Sequence, residues 1–104
     1  MNAVNGSDYV VHTASPIQIV FKHEDDAVKP ALEGVRAILM ACKANRVKRL
    51  VMTSSASAVY NLSEKDVPSD NTYTEKYWTD LNSPSGKDPY HKSKTVSEMA
   101  LWEF

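Results

Sequence analysis

Two side chains in the stretch Pro89-Tyr90-His91-Lys92-Ser93-Lys94 have types suited to moving a proton. A free phenol holds its proton to a pKa of about 10, and an ammonium within a few ångströms favours the phenolate and lowers that value. A phenol tuned in this way can pass a proton to or from a substrate oxygen near neutral pH. Tyr90 and Lys94 are four residues apart, so on a helix they share one face, a turn apart. The local sequence supplies that helix. Asp88 is a good N-cap, and Pro89 suits the first helical position, where its missing N–H is not needed. The pattern predicts a helix from Pro89 to the end, with Tyr90, Val96, Met99 or Ala100, and Trp102 facing inward. Alone, Tyr-x-x-x-Lys is a weak signal. The chain has five tyrosines, and a half-buried tyrosine beside a solvated lysine would look the same. Its weight depends on what the rest of the chain brings to it.

Two short apolar runs can do that positioning. Residues 8–14, Asp-Tyr-Val-Val-His-Thr-Ala, read as a strand, β-branched at its centre and lying between Gly6 and Pro16. A run without clean alternation suits a parallel strand covered on both faces. Thr13, Ala14 and Ser15 then sit at its C-terminal end, the edge of an open α/β sheet where ligands bind. Residues 17–22 read as loop. His23-Glu24-Asp25-Asp26 opens a helical pattern in which Val28, Leu32, Val35, Leu39 and Cys42 share a face, predicting a helix over 28–45. Pro30 belongs in the first turn of such a helix or kinks it. Arg49-Leu50-Val51-Met52-Thr53-Ser54 is the second strand, which Ser54-Ser55-Ala56-Ser57 ends on the same sheet edge as Ser15. Strand, helix and strand make a βαβ unit with parallel strands and a right-handed crossover. Residues 60–87 form a long polar connection. It carries Tyr73, Tyr77 and Trp78, too aromatic for a solvated linker, so part of it packs over something.

The bulk numbers exclude several classes. With 104 residues, 42% hydrophobic and 24% charged, the chain has the size and composition of one small soluble globular domain. A net charge of -1 and the absence of any basic block make nucleic acid an unexpected partner. No apolar run approaches a membrane span, and the opening Met1-Asn2-Ala3-Val4 does not read as a signal peptide, so no membrane association is expected. The single cysteine, Cys42, rules out an intrachain disulfide and fits a reducing, cytoplasmic setting. It reads as a small core residue on the apolar helix face, and Met40, Met52 and Met99 read as packing. His12 reads as a packed strand histidine, His23 and His91 as surface residues, and no group has metal-ligand spacing. Trp78 reads as a loop anchor.

Taken in order, these pieces resemble the extended short-chain dehydrogenase/reductases, the NAD-dependent epimerase/dehydratase superfamily. The likeness is strongest to the branch holding dihydroflavonol 4-reductases, cinnamoyl-CoA reductases and yeast-type ketone reductases. The segments that carry it are the run from Asp8 to Pro16, Val28-Lys29-Pro30-Ala31-Leu32-Glu33-Gly34-Val35, Val47 through Ser55, Glu75-Lys76-Tyr77-Trp78-Thr79-Asp80, and Tyr90-x-x-x-Lys94. The resemblance implies an α/β fold, part of a Rossmann-like doubly wound parallel sheet. It implies an NADP(H)-dependent reduction of a ketone, aldehyde or dihydroflavonol-like carbonyl, with NAD(H) as the other cofactor the family uses. It also implies the catalytic residues Ser55, Tyr90 and Lys94. Ser55 would hydrogen-bond the substrate carbonyl, Tyr90 would protonate its oxygen as hydride arrives, and Lys94 would assist Tyr90 and hold the nicotinamide ribose. Ser54 is the rival for the serine role. Thr13, Ala14, Ser15, Thr53 and Ser54, with Tyr90 and Lys94, would lie against the cofactor.

Two departures stand out. Ala31 occupies a position where many relatives have an asparagine supporting a proton relay, though the reductase branch often lacks it. Only Gly6, Gly34 and Gly86 are present, so no glycine-rich dinucleotide fingerprint can be formed. The resemblance thus implies that residues 1–104 are the central part of one NAD(P)-binding domain, without the glycine-rich half or the C-terminal substrate region. Such a stretch alone would be inactive and unstable. The partner implied is a small carbonyl substrate, and a homodimer is compatible with the family. A sugar epimerase or dehydratase and a 3-beta-hydroxysteroid dehydrogenase of the same superfamily would carry the same three residues. A non-catalytic nucleotide sensor would tend to have lost them, and a truncated product would do no chemistry at all.

Overall fold

The computed structural model describes residues 2–17, 20–60 and 65–104. Parts of the loops expected at 17–22 and 60–87, namely 18–19 and 61–64, lie outside the described residues. The regular elements are β1 (Tyr9–His12), α1 (Asp25–Ala44), β2 (Arg49–Met52) and α2 (Pro89–Glu103). Short 3-10 turns occur at Asn2–Val4 and Ala56–Ala58.

The two strands pair in parallel, with Tyr9 opposite Arg49 and His12 opposite Met52. Both alternate in exposure. Val10, His12, Leu50 and Met52 face inward, whereas Tyr9 and Val11 are each 68% exposed and Val51 is 52% exposed. Coverage on both faces, expected from the apolar runs, is therefore met on one face only. The helices described lie on that side, and nothing among the described residues shields the other.

α1 begins three residues before its predicted start. Asp25 and Asp26 extend it toward the positive end of the helix dipole, and the Asp26 carboxylate accepts from His23 N–H at 3.1 Å. Pro30 consequently falls in the second turn, not the first, on an exposed face where water can take the carbonyl bond that proline cannot supply. The C-terminus closes as a Schellman motif. Arg46 takes a left-handed φ of 54°, Val47 N–H returns to Cys42 O at 3.0 Å, and Arg46 N–H returns to Lys43 O at 3.2 Å. Val47, the residue after that turn, packs into the cluster of Val4, Ala41, Cys42, Val10, Ile38 and Leu50 that joins α1 to the sheet.

α2 packs chiefly on α1 and on the 3-10 turn that follows β2. Its buried residues are Ser93, Lys94, Thr95 and Ser97. Trp102, expected to face inward, is 73% exposed, while Val96, Met99 and Ala100 are only half-buried. Met40 of α1, expected to pack, is 62% exposed. α2 is buried on more than one side, with Ser93 and Ser97 on one and Thr95 roughly opposite, and at these positions small size is favoured over apolarity. Ser93, Thr95 and Ser97 are small, and each hydroxyl donates to a carbonyl three or four residues back, at 2.7–2.8 Å. Their polarity is thus satisfied within the helix, and the helices can approach closely.

Candidate active site

The start of α2 is fixed before any tertiary contact. The Asp88 carboxylate accepts from the N–H groups of Tyr90 at 3.0 Å and His91 at 3.2 Å, satisfying two of the helix's orphan donors. The loop leading into it is tight at Gly86, which is buried. A Cβ there would lie 1.8 Å from the Asp80 carbonyl oxygen, so only glycine fits. His91, half-buried at the surface, has its Nδ1 at 2.9 Å from Ser85 O. The Tyr60 ring meets it edge-on at 6.0 Å.

From that start, Lys94 reaches the exit of β2. It is 5% exposed, its Nζ makes a long 3.5 Å contact with Thr53 O, and it lies 5.9 Å from the centre of the Tyr90 ring. The ammonium is placed between strand exits. Thr53 N–H donates to His12 O at 3.0 Å, closing the last rung of the sheet. Burial first, and the Lys94 charge second, push the His12 imidazole below its ordinary value of 6.5. The positive charge of Lys94 is therefore felt at the ends of both strands.

Ser55 follows Thr53 by two residues on the same exit. It caps the 3-10 turn Ala56–Ala58, its Oγ accepting from Ser57 N–H at 3.1 Å, so its own proton remains available to donate. Among the described residues no direct hydrogen bond joins the Ser55 and Tyr90 hydroxyls. Ser54 turns the other way: its hydroxyl donates to the Glu98 carboxylate. Thr13 and Ala14 are exposed and Ser15 half-buried at the β1 exit. Ala14 and Ser15 line an open groove with His12, Ala31 and Gly34. Lys94 thus joins Tyr90 to Thr53 at the β2 exit, with Ser55 two residues on; Thr13, Ala14 and Ser15 lie at the β1 exit, the last two beside α1, and Ser54 is engaged by Glu98.

Two residues escaped the reading of the sequence. Glu98 lies four residues after Lys94, the same spacing that singled out Tyr90, and could have been found as the third member of one helix face. Thr79 is 3% exposed, and its side chain and N–H bond the carbonyls of Ser57 and Ala58. It is the buried anchor of a loop in which Trp78, half-buried, had seemed the natural candidate. Among the described residues no group of His, Cys, Asp and Glu could hold a metal ion, and no helix is long and apolar enough to cross a membrane.

Known proteins carry a similar stretch. The chain is 39% identical, over 97% of its length, to the anthocyanidin reductase ((2S)-flavan-3-ol-forming) of Vitis vinifera. It is 39% identical, over 99% of its length, to the dihydroflavonol 4-reductase of Arabidopsis thaliana. Gre2 of Candida albicans, solved in complex with NADPH, superposes on 93% of the chain with a TM-score of 0.72 at 25% identity. The chain spans 31%, 28% and 30% of these three proteins respectively. The sequence profile of one family matches residues 1–103, and on that match the chain belongs to the 3-beta hydroxysteroid dehydrogenase/isomerase family.

Proposed function

We propose that these residues are the central part of an NADP(H)-dependent oxidoreductase that reduces a small ketone or aldehyde carbonyl, with Tyr90 as proton donor. The observation that carries this reading is the burial of the Lys94 ammonium at the strand exits, beside the Tyr90 ring and against the carbonyl of Thr53, two residues before Ser55. A buried cation is costly unless it has work or partners. Lys94 has three protons to give and, among the described residues, one long hydrogen-bond contact, to Thr53 O, so it retains donors for a ribose diol. The relatives named for reductase activity, and Gre2 with its NADPH, support the same reading.

The residues present fit the nicotinamide-ribose end of such a cofactor. Lys94 and Tyr90 would hold it, with Thr53 beside them and Thr13, Ala14 and Ser15 across β1. Three glycines, none in a fingerprint, leave its phosphates to be cradled elsewhere in the polypeptide. When bound, the cofactor supplies the hydride. Ser55 hydrogen-bonds the substrate oxygen, which orients the carbonyl and takes up charge developing on it. Tyr90 gives its proton to that oxygen, forming the alcohol, and Lys94 offsets the negative charge left on the phenolate. The family profile favours one alternative substrate class, hydroxysteroids, handled by the same three residues in the oxidative direction. A panel of ketones and hydroxysteroids assayed with both cofactors separates the two.

The test belongs in the complete polypeptide that carries this stretch. Tyr90→Phe deletes one hydroxyl and keeps the ring. Carbonyl reduction should slow by about 10²–10⁴-fold, the usual worth of a positioned proton donor, with NADPH affinity within a few-fold of the parent. Lys94→Ala should lose rate and cofactor affinity together. If Tyr90→Phe keeps more than about a third of the parental kcat with chemistry rate-limiting, the reading fails.

A further inference from the structure

We infer that Glu98 is a positioning residue for Ser55, acting through its hydrogen bond to Ser54; the inference rests on the reaction proposed above. Ser55 leaves the sheet before its direction is fixed. The last rung of the ladder is the bond from Thr53 N–H to His12 O, and residues 53–55 have no regular structure. Among the described residues, the only side-chain bond of Ser55 is from Ser57 N–H, within its own turn. Its aim therefore depends on ties that hold the surrounding backbone to the rest of the molecule.

Those ties come from α2 and from Thr79. Lys94 reaches Thr53 O, Glu98 takes the Ser54 hydroxyl, and Thr79 bonds Ser57 and Ala58. Lys94 and Glu98 are a turn apart, so one helix face grips two consecutive residues, the second of which directly precedes Ser55. The same face carries Tyr90 a turn earlier. Glu98 thus fixes Ser55 relative to the helix that carries its proposed partner in catalysis.

The carboxylate is itself oriented. Its second oxygen accepts from Trp102 Nε1 at 3.3 Å. It is not wedged in place by packing, because it borders an apolar cavity of about 250 Å³ lined also by Leu50, Met52 and Leu101. Glu98→Ala would enlarge a space that already exists, so what it removes is chiefly the bond to Ser54 and the bond from the exposed Trp102, and Ser54→Ala removes the first alone.

A cycle with Ser55 separates positioning from plain stabilisation. In the complete polypeptide, Glu98→Ala should lower kcat roughly 10- to 100-fold, the scale expected for a misplaced catalytic group. Glu98→Gln, whose amide oxygen still accepts from Ser54, should stay within about fivefold of the parent. With Ser55→Ala already present, Glu98→Ala should cost less than about threefold, because the group it positions is gone. Cofactor Kd should hardly move. Amide exchange at residues 54–57 should quicken about tenfold in Glu98→Ala, independently of any assay of activity. Should Glu98→Ala fail to fold, Ser54→Ala removes the same bond by one hydroxyl and replaces it in the cycle. An unchanged kcat, an unchanged exchange rate, or the same loss with and without Ser55 overturns the inference. Tyr90→Phe in the same series tells the two readings apart. If it leaves the rate intact, the proposed reaction has failed; if it abolishes the rate while the cycle is additive, only the role of Glu98 has failed.

Discussion

The two helices bury opposite kinds of residue. α1 hides Ala27, Ala31, Val35, Leu39, Ala41 and Cys42, an apolar stripe of the sort that drives helix docking by removing hydrocarbon from water. α2 hides Ser93, Lys94, Thr95 and Ser97. Three of these silence their own polarity by bonding back to the helix, and the fourth is a cation. The contrast separates framework from chemistry. α1 is held by what it buries, whereas α2 is held at its ends and neighbours: by the Asp88 cap, by the Lys92–Glu24 pair at 2.7 Å, and by the bonds of Lys94 and Glu98 to the strand exit. A helix with a purely apolar inner face could not present a lysine to the end of a strand.

That contrast can be broken by substitution. Leu39→Ala should destabilise by about 2–5 kcal/mol, the usual cost of removing a buried leucine side chain, seen as a lower urea midpoint at unchanged slope. Thr95→Val, on the polar side, should stay within about 1 kcal/mol, although Thr95 is the more deeply buried residue. The His91 carbonyl that it serves keeps its helical N–H partner. Equal losses at the two positions would mean that the polar face of α2 is framework after all. The smallest effect is electrostatic and sits where α2 meets β1. The His12 imidazole lies below its ordinary 6.5 in the folded chain, so the unfolded chain binds that proton more readily. Its contribution to stability is present above about pH 6.5 and is lost as pH falls through the lower folded value. His12→Gln should therefore flatten the fall in Tm between neutral pH and about pH 5.5. An unchanged slope would show that the fold does not hold the His12 imidazole below its ordinary value.

How much of this was legible depends on which physical rule was local. The strands were readable from β-branched runs, though each is shorter than its apolar stretch, ending at His12 and Met52 where ladder pairing stops. α1 was readable because burial and hydrophobicity coincide along it. Asp88 and Pro89 marked the start of α2 to the residue, since capping is a property of adjacent residues. The facing of α2 was not legible, because serine and threonine reveal nothing of whether their hydroxyls look outward to water or back to their own carbonyls. Nor was the division between Ser54 and Ser55. Neighbouring serines on an extended exit point to opposite sides, and only the location of Glu98, 44 residues away, tells which one is occupied structurally. The place of Lys94 between the strands followed from the family likeness and not from its own spacing.

The candidate site is also assembled late. Lys94 meets Thr53 across 41 residues, Glu98 meets Ser54 across 44, and Lys92 meets Glu24 across 68. Contacts so distant in sequence are the slow ones, since the loop must close before they return any free energy. On a ribosome adding roughly 5–20 residues per second, β2 emerges several seconds before the turn of α2 that secures its exit. Through that interval the side of α1 that will meet α2 is open. The segment that carries the chemistry is then also the one whose arrival covers that side of α1, so chaperone engagement there should fall once residue 98 has cleared the exit tunnel.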